Sequence, residues 1–155
     1  SKRIVYYDTG GKKEEVDYGM MGAEKGLMHG LCVKWFPSGI EQEVAYYEKG
    51  ELHGPKITFY PDGVMQSREI FAQGVHVGIR EEFYPDSTKR AEAHYAHGGL
   101  EGDVWEYYPN GKRKSLATYK DGKEQGYAYK WHENGIVAYK TFYKEINQNE
   151  EVFGR

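Results

Sequence analysis

Six histidines, one cysteine, several neighbouring carboxylates and a basic run are the chemically capable groups of this 155-residue chain. A metal site needs ligands converging on one ion at about 2.0–2.1 Å. His29 and His53 are 24 residues apart, at the same position of a repeat. That spacing separates them by roughly 10 Å, the width of two paired strands, which is too far to share an ion. His94 and His97 straddle an expected turn with no carboxylate pattern to complete a site. The histidines therefore read as surface or turn residues, and no metal ligand is assigned.

Glu14-Glu15, Glu81-Glu82 and Glu150-Glu151 are sequence neighbours. Adjacent strand residues point to opposite faces, so none of these pairs can flank one glycosidic bond. Glu81 is expected on a buried face, where an unpaired carboxylate would be costly or would keep its proton. A lysine or a tyrosine hydroxyl beside it is the expected answer. Cys32, as the single cysteine, cannot form an internal disulfide and has no activating neighbour. It favours a reducing, cytoplasmic setting. A start at Ser1 rather than methionine leaves room for a removed leader or domain, and with it a periplasmic or secreted location. Lys112, Arg113 and Lys114 are the candidate contact for phosphate or lipid head groups, although strand parity divides three consecutive residues between two faces. No catalytic residue or cofactor is assigned.

What must position these groups is a repeat of 24 residues. Glycines recur as Gly30, Gly54, Gly78, Gly102, Gly126, as Gly39, Gly63, Gly111, Gly135 with Ser87 in the gap, and as Gly26, Gly50, Gly74, Gly98, Gly122. Aromatic pairs keep the same step from Trp35-Phe36 to Tyr107-Tyr108, with Trp131-His132 as the variant fifth, and Pro37, Pro61, Pro85 and Pro109 follow four of them. Each unit reads as a β-hairpin. Proline suits the second position of a type I turn, so Tyr-Pro-Asn-Gly predicts such a turn with its glycine left-handed as a bulge. Every glycine is assigned to a turn, which excludes a phosphate-cradling loop. Ser87 is expected to adopt the positive φ that the missing glycine would have taken.

Strand parity places Val33 and Trp35, Ile57 and Phe59, Glu81 and Phe83, Trp105 and Tyr107, Tyr129 and Trp131 on one face, the expected core. From the second strands, Ala45, Tyr47, Phe71, Ala93, Tyr95, Ala117 and Tyr119 are expected to meet it. Val44, Arg68, Glu92, Leu116 and Lys140 are expected in solvent.

The blocks HGLCVKWFPSG, HGPKITFYPDG, EGDVWEYYPNG and QGYAYKWHENG, each followed by Tyr or Phe and a glycine turn, resemble the MORN (membrane occupation and recognition nexus) repeats. They are most similar to the bacterial variant, some members of which carry an antitoxin label. The resemblance covers roughly Tyr6 to Tyr143. It implies an all-β protein, an elongated antiparallel meander of tandem hairpins bent around an aromatic-lined interior. The expected organisation is one repeat domain over 1–144, with a degenerate unit at 1–29, regular units over 30–144, and a cap or tail at 145–155. Unit one is too long, and the surplus within Tyr18 to Ala23 is expected to form a loop or bulge.

The net charge is −3 with both signs mixed along the chain, which gives no electrostatic footprint for nucleic acid. The leading functional expectation is a non-catalytic scaffold that binds a protein partner, a toxin if the antitoxin label transfers. Its candidate contacts are Phe36, Tyr60, Tyr84, Tyr108 and His132, a ladder beside the turns, together with Glu106. The competing reading of that ladder is packing between repeats. A membrane-associated protein using Lys112, Arg113 and Lys114 is the alternative. An enzyme with a groove lined by tyrosines, Glu81 and His132 is third.

Overall fold

The computed structural model describes residues 1–144; the segment 145–155, expected as a cap or tail, lies outside them. Among the described residues one antiparallel sheet holds every strand. Its main path is a plain meander of six hairpins: β1 (Lys2–Tyr6) with β2 (Lys12–Tyr18), β3 (Met28–Trp35) with β4 (Glu41–Glu48), β5 (Glu51–Phe59) with β6 (Met65–Ala72), β8 (Gly78–Phe83) with β9 (Lys89–Ala96), β11 (Gly102–Tyr107) with β12 (Arg113–Lys120), and β14 (Gly126–Trp131) with β15 (Val137–Tyr143). Three two-residue strands, β7 (Val75–His76), β10 (Gly99–Leu100) and β13 (Lys123–Glu124), continue the pairing of β6, β9 and β12. The surplus of unit one forms a loop with a short 3-10 turn at Gly22–Glu24, as expected.

The hairpin turns follow from their residues. The Gly39 amide donates to the Phe36 carbonyl at 2.9 Å and the Phe36 amide to the Ile40 carbonyl at 2.8 Å, with Gly39 at φ 92°. The same pair of bonds recurs at Tyr7, Tyr60, Tyr84, Tyr108 and His132. Ser87 takes the glycine place at φ 74°. The turns that join successive hairpins are of the other kind. Lys49-Gly50, Gln73-Gly74, His97-Gly98 and Asp121-Gly122 each place two consecutive residues at positive φ, the requirement of a type I′ turn. His97 thus lies within its turn.

The faces sort differently from expectation. Lys34 pairs with Glu43 but Trp35 pairs with Glu41, so Gln42 is an extra residue in β4. The shift recurs with Gln66, Arg90, Lys114 and Ala138 as the extra residue. One inserted residue exchanges the two faces of the second strand. Val33 therefore pairs with Val44, Ile57 with Arg68, Glu81 with Glu92, Trp105 with Leu116 and Tyr129 with Lys140. The residues expected in solvent share the face of Val33 and Trp105. Ala45 and Tyr47 instead pair with Cys32 and Gly30 on the other face.

The in-strand glycines are a second correction. Gly30, Gly54, Gly78, Gly102 and Gly126 lie within strands, directly opposite Tyr47, Phe71, Tyr95, Tyr119 and Tyr143. Each has positive φ, Gly102 for example 84°. The residue before three of them leaves the ladder to bond further along. The Val77, Glu101 and Gln125 amides donate to the Ile70, His94 and Thr118 carbonyls at 2.9, 2.8 and 2.8 Å. These glycines mark a bulge rather than a turn.

Both faces contribute to the core. Cys32, Ala45, Phe71 and Ala93 are buried on one, Val33 and Trp131 on the other, and Val16 beside Cys32 closes the first hairpin. Trp105, Tyr107, Tyr129 and Trp131 stack as a chain of rings, with centroids 5.4 to 6.2 Å apart. This ring chain joins the last hairpins on the face of Val33.

Candidate functional site

The face that carries Cys32 and Ala45 is recessed. Two rows of cross-strand partners make its floor. One runs Glu14, Lys34, Glu43, Thr58, Ser67, Glu82, Ala91, Glu106, Ser115, Lys130, Tyr139. The other, two residues along each strand, includes Val16, Cys32, Ala45, Lys56, Glu69, Arg80, Ala93, Ala117 and Ala128. Tyr47, Phe71, Tyr95, Tyr119 and Tyr143, over their glycines, flank the floor on one side. Phe36, Tyr60, Tyr84 and Tyr108 flank it on the turn side.

Clefts follow one another along this floor. They measure about 380 Å3 between Lys34 and Gln66, 210 Å3 between Thr58 and Arg90, 460 Å3 between Arg80 and Lys114, and 290 Å3 between Val104 and Tyr143. The extra residues Gln42, Gln66, Arg90 and Lys114 line them. Re-aiming a side chain is a known use of a bulge.

The first half of the floor carries its own ion pairs beside its cleft. Lys34 and Lys56 approach Glu43 at 3.5 and 3.7 Å. A longer chain crosses the floor further on. His76 Nε2 meets Glu69 at 2.9 Å, Arg80 Nε donates to Glu69 at 3.1 Å, Arg80 also bonds Glu82, and Arg90 donates to Glu82 at 2.8 Å. The His76 ring is held between Phe71 and Tyr95, at 4.2 and 4.8 Å between centroids. Burial alone would lower the Arg80 pKa, but Glu82 and Glu69 outweigh it and raise it further. Lys34 is raised in the same way, by Glu43 against burial.

The expected contact residues occupy defined places. Tyr60, Tyr84 and Tyr108 each donate a hydroxyl hydrogen bond to a backbone carbonyl of the next unit, those of Phe83, Tyr107 and Trp131, at 2.7, 2.7 and 2.6 Å. Tyr7, which sequence reasoning left out, does the same to Trp35 at 2.7 Å. Its signal was present in the aromatic pair and turn of unit one. Phe36 has no hydroxyl and takes only the ring position. His132 is exposed at the last turn. Glu106 stands exposed on the recess floor and lines both the 460 and the 290 Å3 clefts.

The basic run is dispersed. Lys112 sits in the turn with its amide on Asn110 Oδ1 at 2.9 Å, the Arg113 guanidinium lies 4.6 Å from the Trp131 ring centre, and Lys114 lines the 460 Å3 cleft. Glu81 lies on the face away from the recess. Its partner is the expected lysine: Lys89 Nζ is 3.0 Å from both Glu81 and Glu92 and so bridges two carboxylates that face each other across the strands. Burial pushes the Cys32 thiol pKa up, which favours the unreactive protonated form.

His29 and His53 have a structural task that the sequence reading missed. Their Nδ1 atoms accept the amides of Lys49 and Gln73, the first residues of the next type I′ turns, at 3.3 and 3.2 Å. Glu101 does the same for Asp121 at 2.8 Å. The signal was their constant spacing of 20 residues from the turn amide. Among the described residues no three His, Cys, Asp or Glu side chains gather as a metal site, and no helix is long and apolar enough to cross a membrane.

Residues 100–121 and 124–145 each match the family described as MORN repeat variant. These two segments are MORN-variant repeats. The matched MORN repeats are the last two, around β11–β12 and β14–β15, and the upstream hairpins share their turns, bulges and register. No curated protein matches the chain. From β3 onward, the glycine after His, Val, Glu or Gln in the first strand of each hairpin carries the bulge, and the closing Tyr or Phe lies opposite it. Where a tyrosine precedes the proline, at Tyr60, Tyr84 and Tyr108, its hydroxyl ties the unit to the next.

Proposed function

We propose that this chain is a non-catalytic repeat scaffold that holds a segment of a partner protein in the tyrosine-flanked recess. The supporting observation is the succession of clefts along one face of consecutive hairpins, with charged groups and aromatic rings arranged at the period of the repeat. Tyrosine and arginine on a rigid surface are the side chains from which binding hot spots are most often built. A sheet whose units are bonded to each other through the tyrosine hydroxyls offers such a surface with little ordering cost. The antitoxin label carried by similar bacterial repeats makes a toxin the first partner to try.

The test uses the full chain as bait and two bulky substitutions. Ala117→Trp fills the recess floor, whereas Arg68→Trp places the same ring on the opposite face. A partner that copurifies with the wild type and with Arg68→Trp, but not with Ala117→Trp, supports the reading. A partner lost equally on both, or on neither, contradicts it.

A further inference from the structure

We propose that Glu106 anchors an arginine side chain of the bound segment. This rests on the reading that the recess holds a protein partner, and it specifies what that partner must present. Glu43, Glu69 and Glu82 on the recess floor are all engaged by cations of this chain. Glu106 has no hydrogen bond or ion pair among the described residues. Its cross-strand neighbours are Ala91 and Ser115, so the carboxylate stands over small side chains between two clefts.

The repeat supplies its own picture of the complex. Glu82 is the residue one unit before Glu106, and it accepts from the guanidinium of Arg90 at 2.8 Å beside the 460 Å3 cleft. Its position in the sheet is the same: Glu82 pairs with Ala91 as Glu106 pairs with Ser115, and each stands immediately before a shift of register that inserts an extra residue in the partner strand. In the later unit that extra residue is Lys114 rather than arginine. Its ammonium stands over the Tyr108 ring, 5.7 Å from the centre. Lys130, which lines the 290 Å3 cleft with Glu106, stands over Tyr139 at 5.8 Å, and Arg80 and Arg90 beside the 460 Å3 cleft are held by Glu82. The carboxylate position that binds a guanidinium internally in one unit is therefore open in the next.

Arginine suits this place better than lysine. Its planar fork can meet both carboxylate oxygens while its face lies against a tyrosine, whereas an ammonium makes a point contact. Because the floor around Glu106 is built of small residues, the aliphatic stem of the incoming side chain has room to lie on it.

The test is a random peptide library displayed on phage and panned against the whole chain, followed by affinity measurements of the winning peptide with variants. The expected result is a consensus containing arginine. Its binding should weaken roughly tenfold or more with Glu106→Gln, as for a hot-spot contact. Lys114→Arg should weaken it as well, because it places an internal guanidinium beside Glu106 as Arg90 is beside Glu82. Arg68→Gln, on the opposite face, should leave it unchanged. A consensus without arginine whose binding is blocked by Ala117→Trp would overturn the Glu106 proposal and leave the recess reading standing. An arginine consensus indifferent to Glu106→Gln would overturn it too. No consensus, or one indifferent to Ala117→Trp, would overturn both.

Discussion

Ser87→Gly should make the protein more stable by about 1 kcal/mol, from the balance of two terms. A residue with a Cβ held left-handed costs roughly 1–2 kcal/mol, which glycine does not incur. Glycine loses about 0.4–1 kcal/mol of this through the greater freedom of the unfolded chain. Ser87 sits at φ 74° and is exposed. The bonds that close its turn survive the change: the backbone amide of residue 87 to the Tyr84 carbonyl at 2.9 Å, and the Thr88 amide and hydroxyl to Asp86 Oδ1 at 3.0 and 2.6 Å. Equilibrium urea unfolding should show a higher midpoint at unchanged slope. The thermal midpoint should rise about 2–4 °C for a chain of this length. The reverse substitution at the equivalent turn, Gly111→Ser at φ 83°, should lower stability by a similar amount. Equal or lower stability of Ser87→Gly, with Gly111→Ser neutral, would refute the argument that left-handed backbone sets the energetics of these turns.

Tyr84→Phe removes the hydroxyl bond to the Tyr107 carbonyl and should cost about 0.5–1.5 kcal/mol, read by the same unfolding measurement; a neutral result would mean that the ladder does not tie the units together. His53→Ala frees the Gln73 amide that Nδ1 accepts, so hydrogen exchange at residue 73 should quicken well before global stability changes, and unaltered exchange there would count against the role assigned to the histidine. The phenols of Tyr47, raised chiefly by burial, Tyr119, raised by burial and then by Glu124, and Tyr143, raised by the Glu124 carboxylate, all ionise later in the folded protein than in the unfolded chain. Their contribution to stability is thus fully present below the ordinary tyrosine range near ~10 and is lost as pH rises through the folded values. Alkaline unfolding followed by tyrosine absorbance should show it, and native phenols titrating together at the ordinary value would contradict it.

The hairpins, their turns and the unusual backbone at Ser87 were legible because proline, glycine and aromatic spacing act locally. The partition of faces was not. Parity counted correctly within each strand, but Gln42 and its equivalents insert one residue without any glycine or proline to announce it. Val44 therefore changed face, and the polar floor was taken for the outside. The in-strand glycines were read as turns for a related reason: Gly78 and Gly102 have the φ of a turn glycine, and only the pairing with Tyr95 and Tyr119 separates the cases. Among the candidate contacts, the tyrosine ladder was visible as a ladder, yet the target of each hydroxyl lies 23 residues away on a backbone atom, which no local pattern encodes. Glu106 was visible as a candidate contact, but its neighbours across the strands, Ala91 and Ser115, became apparent only from the register.

The central claim is that binding occupies the recessed face rather than the face of stacked rings. Site-specific photo-crosslinking tests it most directly, with a benzophenone side chain placed in turn at Val104 and Ala117 on the recess and at Arg68 and Lys140 on the opposite face. The account predicts that partner crosslinks form from the first two positions and not from the second two. Crosslinks confined to Arg68 and Lys140 would contradict it.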